Sequence, residues 1–152
     1  MLKSPEYAVK LFKEGYNCSQ AVLGAYSKDL CVDFETAVRL ASSFGGGMGR
    51  LREVCGAVSA MFMVAGLKFG YTDPCDLKLK EKHYELIQEL SVRFKEKNKS
   101  IICREILGLN LQHDKPKPEA RTDNYYKKRP CVEIVRSAAE IIDEILSEIA
   151  SG

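Results

Sequence analysis

The sequence predicts an all-α fold, a single-domain helical bundle of five or six helices over residues 1–152. Three observations lead to this prediction. Helix-start signals recur along the chain, apolar residues follow them at helical spacing, and strand signals are nearly absent. A chain of 152 residues fits one domain and can bury a core without cross-links.

Three short helices are predicted in the first third of the chain. Ser4 is predicted to cap the first, which runs to about Gly15. Asn17 is predicted to cap the second, because Gln20 stands three residues further on, as in a capping box. Asp33 begins the third.

A glycine-rich segment then interrupts the helical pattern. Residues 44–49 read FGGGMG, and so many glycines cannot form a stable helix interior. A fourth helix is predicted from about Arg52 to Phe69. It is apolar nearly all round over residues 57–67, which predicts a buried central helix.

The second half of the chain is predicted to hold three more helices and one long polar loop. A long charged helix runs from Asp73 to about Lys97, and a short helix over residues 100–108 is stopped by its final glycine. Residues 109–129 are predicted to form a polar loop. Pro130 begins the last helix.

Composition and charge narrow the function classes. A net charge of +2 gives no general attraction to nucleic acid or to a membrane surface. The longest apolar stretch, residues 57–67, is far shorter than the roughly 20 residues that span a bilayer. Charged residues interrupt the N-terminal segment, so no secretory signal is expected. We therefore expect a cytoplasmic protein, with no membrane insertion and no nucleic-acid partner.

Cysteine placement is the main functional signal. A reducing cytoplasm favours metal binding or catalysis over a disulfide framework. Orphan N–H groups and the helix dipole stabilise a thiolate at a helix start. No C-x-x-C or C-x-x-C-H is present, which argues against thioredoxin-type, zinc-ribbon and c-type haem motifs. Of the six cysteines all but Cys31 fall at predicted helix starts, namely Cys18, Cys55, Cys75, Cys103 and Cys131.

Four sequence segments carry a family resemblance. The block FGGGMGRLREVCGAVSAMFMVAGLKFG, with NCSQAV before it and ICREILG and PCVEIV after it, resembles the redox-active family named C_GCAxxG_C_C. The family's final motif glycine is Ala60 here. Cys31 and Cys75 fall outside the pattern and are predicted to be dispensable. The resemblance implies a redox centre at four cysteines, which are Cys18, Cys55, Cys103 and Cys131.

The glycines are candidates for cofactor binding, because they could cradle an anion or let the backbone approach a cofactor at Cys55. The alternative is a simple helix connector. Arg50 and Arg52 border this segment and could hold a thiolate or an acidic ligand, although the interpretation as solvated residues at a helix start is favoured. The candidate cofactor-binding residues are Gly45, Gly46, Gly47, Gly49 and Gly56.

Several chemistries remain open at this stage. The four cysteines could bind an iron–sulfur cluster or zinc, or they could carry out thiol–disulfide exchange as an oxidoreductase. The alternative is a helical binding or sensor protein with purely structural cysteines. A protein redox partner and a homodimer are left open. Among the thiols, Cys55 is expected to be the most acidic, since the glycine segment offers it the most backbone donors.

Overall fold

The computed structural model describes residues 3–152, so Met1 and Leu2 of the predicted domain lie outside the described residues. Residues 3–152 form helices and connecting segments without a β-strand, which confirms the all-α class. The helices are α1 Ser4–Lys13, α2 Cys18–Tyr26, α3 Phe34–Ala41, α4 Gly45–Met48, α5 Gly56–Phe69, α6 Leu77–Asn98, α7 Cys103–Ile106, α8 Asp123–Lys128 and α9 Cys131–Ser151, with a 3-10 turn at Ser42–Phe44.

Local capping signals locate most helix starts. The Gln20 N–H donates to Asn17 Oδ1 at 2.9 Å and the Asn17 N–H donates to Gln20 Oε1 at 3.0 Å, so the predicted capping box of α2 is confirmed. Asp33 caps α3, and α9 follows Pro130 as predicted. The Ser4 cap is wrong, because Ser4 is already helical and its predecessor occupies the N-cap position.

α5 begins at Gly56 rather than near Arg52. The residues before it are drawn into an isolated antiparallel bridge between Val54 and Ile102. The bridge joins the segment that ends at Cys55 to the segment before α7. A pairing between residues so far apart in the chain leaves no local sequence signal, which is why the predicted helix was too long.

α6 also begins later than predicted, after an Asp76 cap rather than at Asp73. Asp73 instead accepts a hydrogen bond from the Cys75 N–H at 2.9 Å and closes a turn. Cys75 is therefore exposed in a turn and does not lie at a helix start.

The predicted loop over residues 109–129 contains one further helix, α8. Thr122 caps it by accepting from the Tyr125 N–H at 3.2 Å. The short helix α7 begins at Cys103 rather than at Ser100, whose hydroxyl accepts from the Ile102 N–H in the preceding turn.

The core lies where α5 packs against α2, α6 and α9. Residues 56–61 of α5 are all buried, and Ala60, at the place of the motif glycine, is fully enclosed. Tyr26 ties α2 to α9, because its hydroxyl lies 2.7 Å from both the Ala139 carbonyl and an Asp143 carboxylate oxygen. No helix within residues 3–152 combines the length and the apolar character that a membrane crossing requires.

Candidate functional site

One cavity of about 310 Å³ is lined by the four cysteines of the pattern. Cys18, Cys103 and Cys131 are the first residues of α2, α7 and α9, and Cys55 is the N-cap of α5. Each of these thiols is free. Cys18 and Cys131 are partly exposed, whereas the other two are buried. The helices thus bring four distant parts of the chain to one place.

The glycine-rich segment forms part of the cavity wall. Gly46 and Gly47 both have φ of +67°, a left-handed conformation that glycine adopts without steric cost. Left-handed φ continues through Met48 and Gly49 to Arg50. The short helix α4 is therefore not an ordinary right-handed turn, and the expected break in helical structure lies within it.

Gly56 allows the start of α5 to press directly on Cys18. A Cβ atom at this position would lie 2.6 Å from Cys18 Sγ and 2.6 Å from the Phe44 carbonyl oxygen. At Gly47 a Cβ would lie 2.6 Å from Cys103 Cβ. These glycines permit close packing around two of the thiols. Of the five candidate glycines, those that line the cavity are Gly45, Gly46, Gly49 and Gly56.

Cys18 and Cys55 are the two thiols of the site that shift each other's pKa through a hydrogen bond. The Cys55 thiol donates a hydrogen bond to Cys18, and this contact is the main reason that the pKa of Cys18 falls to about 6. Burial opposes the shift, while the backbone N–H groups of Gly46, Ser19 and Ala57 add to it. Cys18 is therefore the thiolate of the pair at neutral pH.

Cys55 is the thiol that keeps its proton. The hydrogen bond to Cys18 and burial hold the pKa of Cys55 well above its usual range. The expectation that Cys55 is the most acidic thiol is thus wrong. The backbone N–H of Gly46 in the glycine segment donates to Cys18. Proximity in the sequence had suggested Cys55 instead.

The other two cysteines are neutral thiols. Burial raises the pKa of Cys103, although Arg52 Nη1 lies 3.6 Å from its sulfur and acts in the opposite direction. Burial also raises the pKa of Cys131 to about 12, with the negative charge of Cys18 as the next cause. Cys18 is therefore the only one of the four whose pKa lies below neutral pH.

Arg52 is a site residue, so the favoured interpretation as a solvated residue is wrong, whereas the alternative, a contact with a cysteine sulfur, is present. Arg52 is 5% exposed and is not a solvated residue. Its Nη2 lies 2.9 Å from Asp114 Oδ2, and the same oxygen receives a hydrogen bond from Arg50 Nη2 at 2.9 Å. Asp114 lies more than 60 residues further along the chain. The only sequence signal for this contact is therefore the presence of an acidic residue in the long polar loop.

A single metal ion does not fit the side chains in this arrangement. Within residues 3–152 no three cysteine, histidine, aspartate or glutamate side chains are grouped as an ion requires. The four cysteines thus share the cavity without the close grouping that a single zinc ion requires.

Fold and site together define a helical protein whose cysteine-lined cavity is built from helix starts. The chain belongs to the family described as "Putative redox-active protein (C_GCAxxG_C_C)", whose model matches residues 16–145. The resemblance drawn from the sequence motifs is thereby confirmed. No curated protein and no solved structure matches the chain.

Proposed function

We propose that the chain is a thiol–disulfide oxidoreductase whose working pair is Cys18 and Cys55. The observation that carries this proposal is that Cys18 and Cys55 line one cavity, where the start of α5 packs directly on Cys18 Sγ at Gly56. In agreement with it, a hydrogen bond with Cys55 lowers the pKa of Cys18 to about 6. A thiolate at neutral pH is the attacking form in disulfide exchange. Cys18 is the more exposed residue of the two, so we expect a partner to reach Cys18 first.

The two sulfurs carry out successive steps of the reaction. The Cys18 thiolate attacks a partner disulfide, forms a mixed disulfide and releases one partner thiolate. Cys55 then attacks Cys18 Sγ, which closes a Cys18–Cys55 disulfide and releases the second partner thiol. The dithiol is oxidised by two electrons and the partner disulfide is reduced by two electrons.

The pair is arranged so that Cys55 becomes reactive only after the first step. The high pKa of Cys55 arises mainly from its hydrogen bond to Cys18, with burial next and the charge of the thiolate third. A mixed disulfide at Cys18 carries no charge, so two of these three causes weaken or disappear. Cys55 then loses its proton more readily, and the released partner thiolate can accept it.

An iron–sulfur cluster with an electron-transfer role is the second candidate. The observation in its favour is that all four cysteines line the same cavity, and four cysteine thiolates are the usual ligands of such clusters. The residues that would hold it are Cys18, Cys55, Cys103 and Cys131. Iron and acid-labile sulfide, assayed in anaerobically purified protein, would separate this candidate from disulfide exchange.

The acidity of Cys18 is the first prediction. With iodoacetamide, the rate at Cys18 in the reduced, folded protein is expected to rise with a midpoint near pH 6, because the thiolate is the reacting form. Cys55, Cys103 and Cys131 should react only at alkaline pH. The measurement is mass-spectrometric quantification of each labelled peptide across a pH series.

The unfolded chain supplies the control for this experiment. In urea, Cys18 should titrate as an ordinary thiol with a pKa of about 8.5. A midpoint at or above that value in the folded protein would contradict the proposed thiolate and would favour the interpretation of these cysteines as structural residues.

A further inference from the structure

Arginines line the same cavity as the four cysteines. They are Arg50, Arg52, Arg121 and Arg129. Their charges matter for any molecule that approaches Cys18, because a cavity lined by one sign of charge concentrates ligands of the opposite sign. The carboxylates that contact these arginines decide how much of their positive charge remains.

Arg50 and Arg52 share one carboxylate. Both guanidinium groups donate to the same oxygen of Asp114 at 2.9 Å. This cluster therefore keeps one positive charge in excess. Arg52 is nearly enclosed, whereas the Arg50 side chain is 18% exposed, which places Arg50 closer to the solvent side of the cavity.

Arg121 has no carboxylate partner among the described residues. Its guanidinium donates to the carbonyl oxygens of Phe12 and Tyr16 at 2.8 and 3.1 Å, and it stacks over the Phe12 ring at 4.2 Å. These contacts hold the group in place and leave its charge uncompensated. Arg129, by contrast, is paired with Glu119.

The cavity thus carries four guanidinium groups against two carboxylates. The Cys18 thiolate removes only one unit of the excess. The remaining positive charge surrounds the Cys18 thiolate, which attacks a sulfur atom of a disulfide. Guanidinium groups recognise carboxylates through paired, charge-assisted hydrogen bonds.

We propose that the substrate of this cavity is a small disulfide that carries carboxylate groups. This inference rests on the proposed thiol–disulfide function. The Cys18 thiolate attacks one sulfur of the substrate, and the substrate S–S bond breaks as the Cys18–substrate bond forms. Cys55 then attacks Cys18 Sγ and releases the half of the substrate that was bound there. One substrate disulfide thus gives two carboxylate-bearing thiols, and the protein gains the Cys18–Cys55 disulfide.

Three small disulfides of similar size and different charge test the inference. They are 3,3′-dithiodipropionate, bis(2-hydroxyethyl) disulfide and cystamine. The rate at which each oxidises the reduced protein is divided by its rate with a small-molecule dithiol, which removes the intrinsic reactivity of each disulfide. At low salt we expect the dianion to exceed the dication by about tenfold, and the ratio should fall toward one as salt rises.

Variants of Arg50 locate the effect. Arg50→Gln should lower the dianion-to-dication ratio several-fold, and Arg50→Lys, which keeps the charge, should restore most of it. Arg39→Gln is the matched control, because Arg39 is exposed on α3 and does not line the cavity. If Arg50→Gln fails to fold, the salt series on the wild-type protein still decides the question.

The outcomes separate the two proposals. A normalised ratio near one at low salt, with all three disulfides oxidising the protein, overturns the charge selectivity and leaves the thiol–disulfide function standing. Failure of every probe to oxidise Cys18 and Cys55 overturns both. A ratio that Arg39→Gln lowers as much as Arg50→Gln overturns the assignment to this cavity.

Discussion

Replacing Gly56 with alanine is expected to destabilise the protein and to abolish the acidity of Cys18. The added Cβ would lie 2.6 Å from Cys18 Sγ and 2.6 Å from the backbone oxygen of Phe44, so α5 and the glycine segment must move apart. Overpacking of this kind costs about 1–3 kcal/mol. Urea unfolding under reducing conditions measures the loss, and pH-dependent alkylation should show the Cys18 midpoint displaced upward from about 6.

The same helix supplies a matched control. Gly66 also lies in α5, but a Cβ there would meet nothing within 4 Å. Gly66→Ala should stabilise the helix by about 0.5–1 kcal/mol through helix propensity and should leave Cys18 unchanged. Equal stability and equal Cys18 acidity in the two variants would show that Gly56 does not shape the thiol pair.

Two substitutions of Cys55 are expected to separate its hydrogen bond from its redox role. Cys55→Ser keeps a hydroxyl that donates to Cys18 but cannot form a disulfide. Cys55→Ala removes both functions. The pKa of Cys18 should therefore stay low in the serine variant and rise by about one unit or more in the alanine variant, since the hydrogen bond from Cys55 is its largest cause.

Both variants should lose two-electron exchange and stop at the mixed disulfide on Cys18. The measurement combines alkylation midpoints with the mass of the protein after treatment with a small disulfide. A Cys18 midpoint that is the same in the alanine variant as in the wild type would contradict the hydrogen-bonded pair. Formation of an intramolecular disulfide at Cys18 in either variant would assign its partner to another cysteine.

Helix starts could be predicted where the signal is local. Asn17 with Gln20 and Asp33 mark the starts of α2 and α3 through hydrogen bonds within one turn, and Pro130 stands directly before α9. Predicted helix starts alone selected five cysteines, including Cys75, which lies in a turn. The family resemblance narrowed these five to the four cysteines of the pattern. The structure shows that all four line one cavity.

Features that depend on distant contacts could not be predicted. The Val54–Ile102 bridge shortens α5, and the contact of Asp114 with Arg52 buries a side chain that local sequence assigns to the surface. The acidity of Cys18 rather than Cys55 has the same origin. It depends first on the hydrogen bond from Cys55 and then on the N–H groups of Gly46, Ser19 and Ala57, of which only Ser19 is a sequence neighbour of Cys18.

The most direct test of the Cys18–Cys55 pair is the identity of the first disulfide to form. Reduced protein is treated with less than one equivalent of a small disulfide and quenched with acid and an alkylating reagent. The disulfide-linked peptides are then identified without reduction. We predict that Cys18–Cys55 forms first, and that it forms equally well in a Cys31→Ser, Cys75→Ser double variant, since those two thiols are exposed and do not line the cavity. A first disulfide between Cys103 and Cys131, or one that includes Cys31 or Cys75 while Cys18 and Cys55 stay reduced, would contradict the proposed pair.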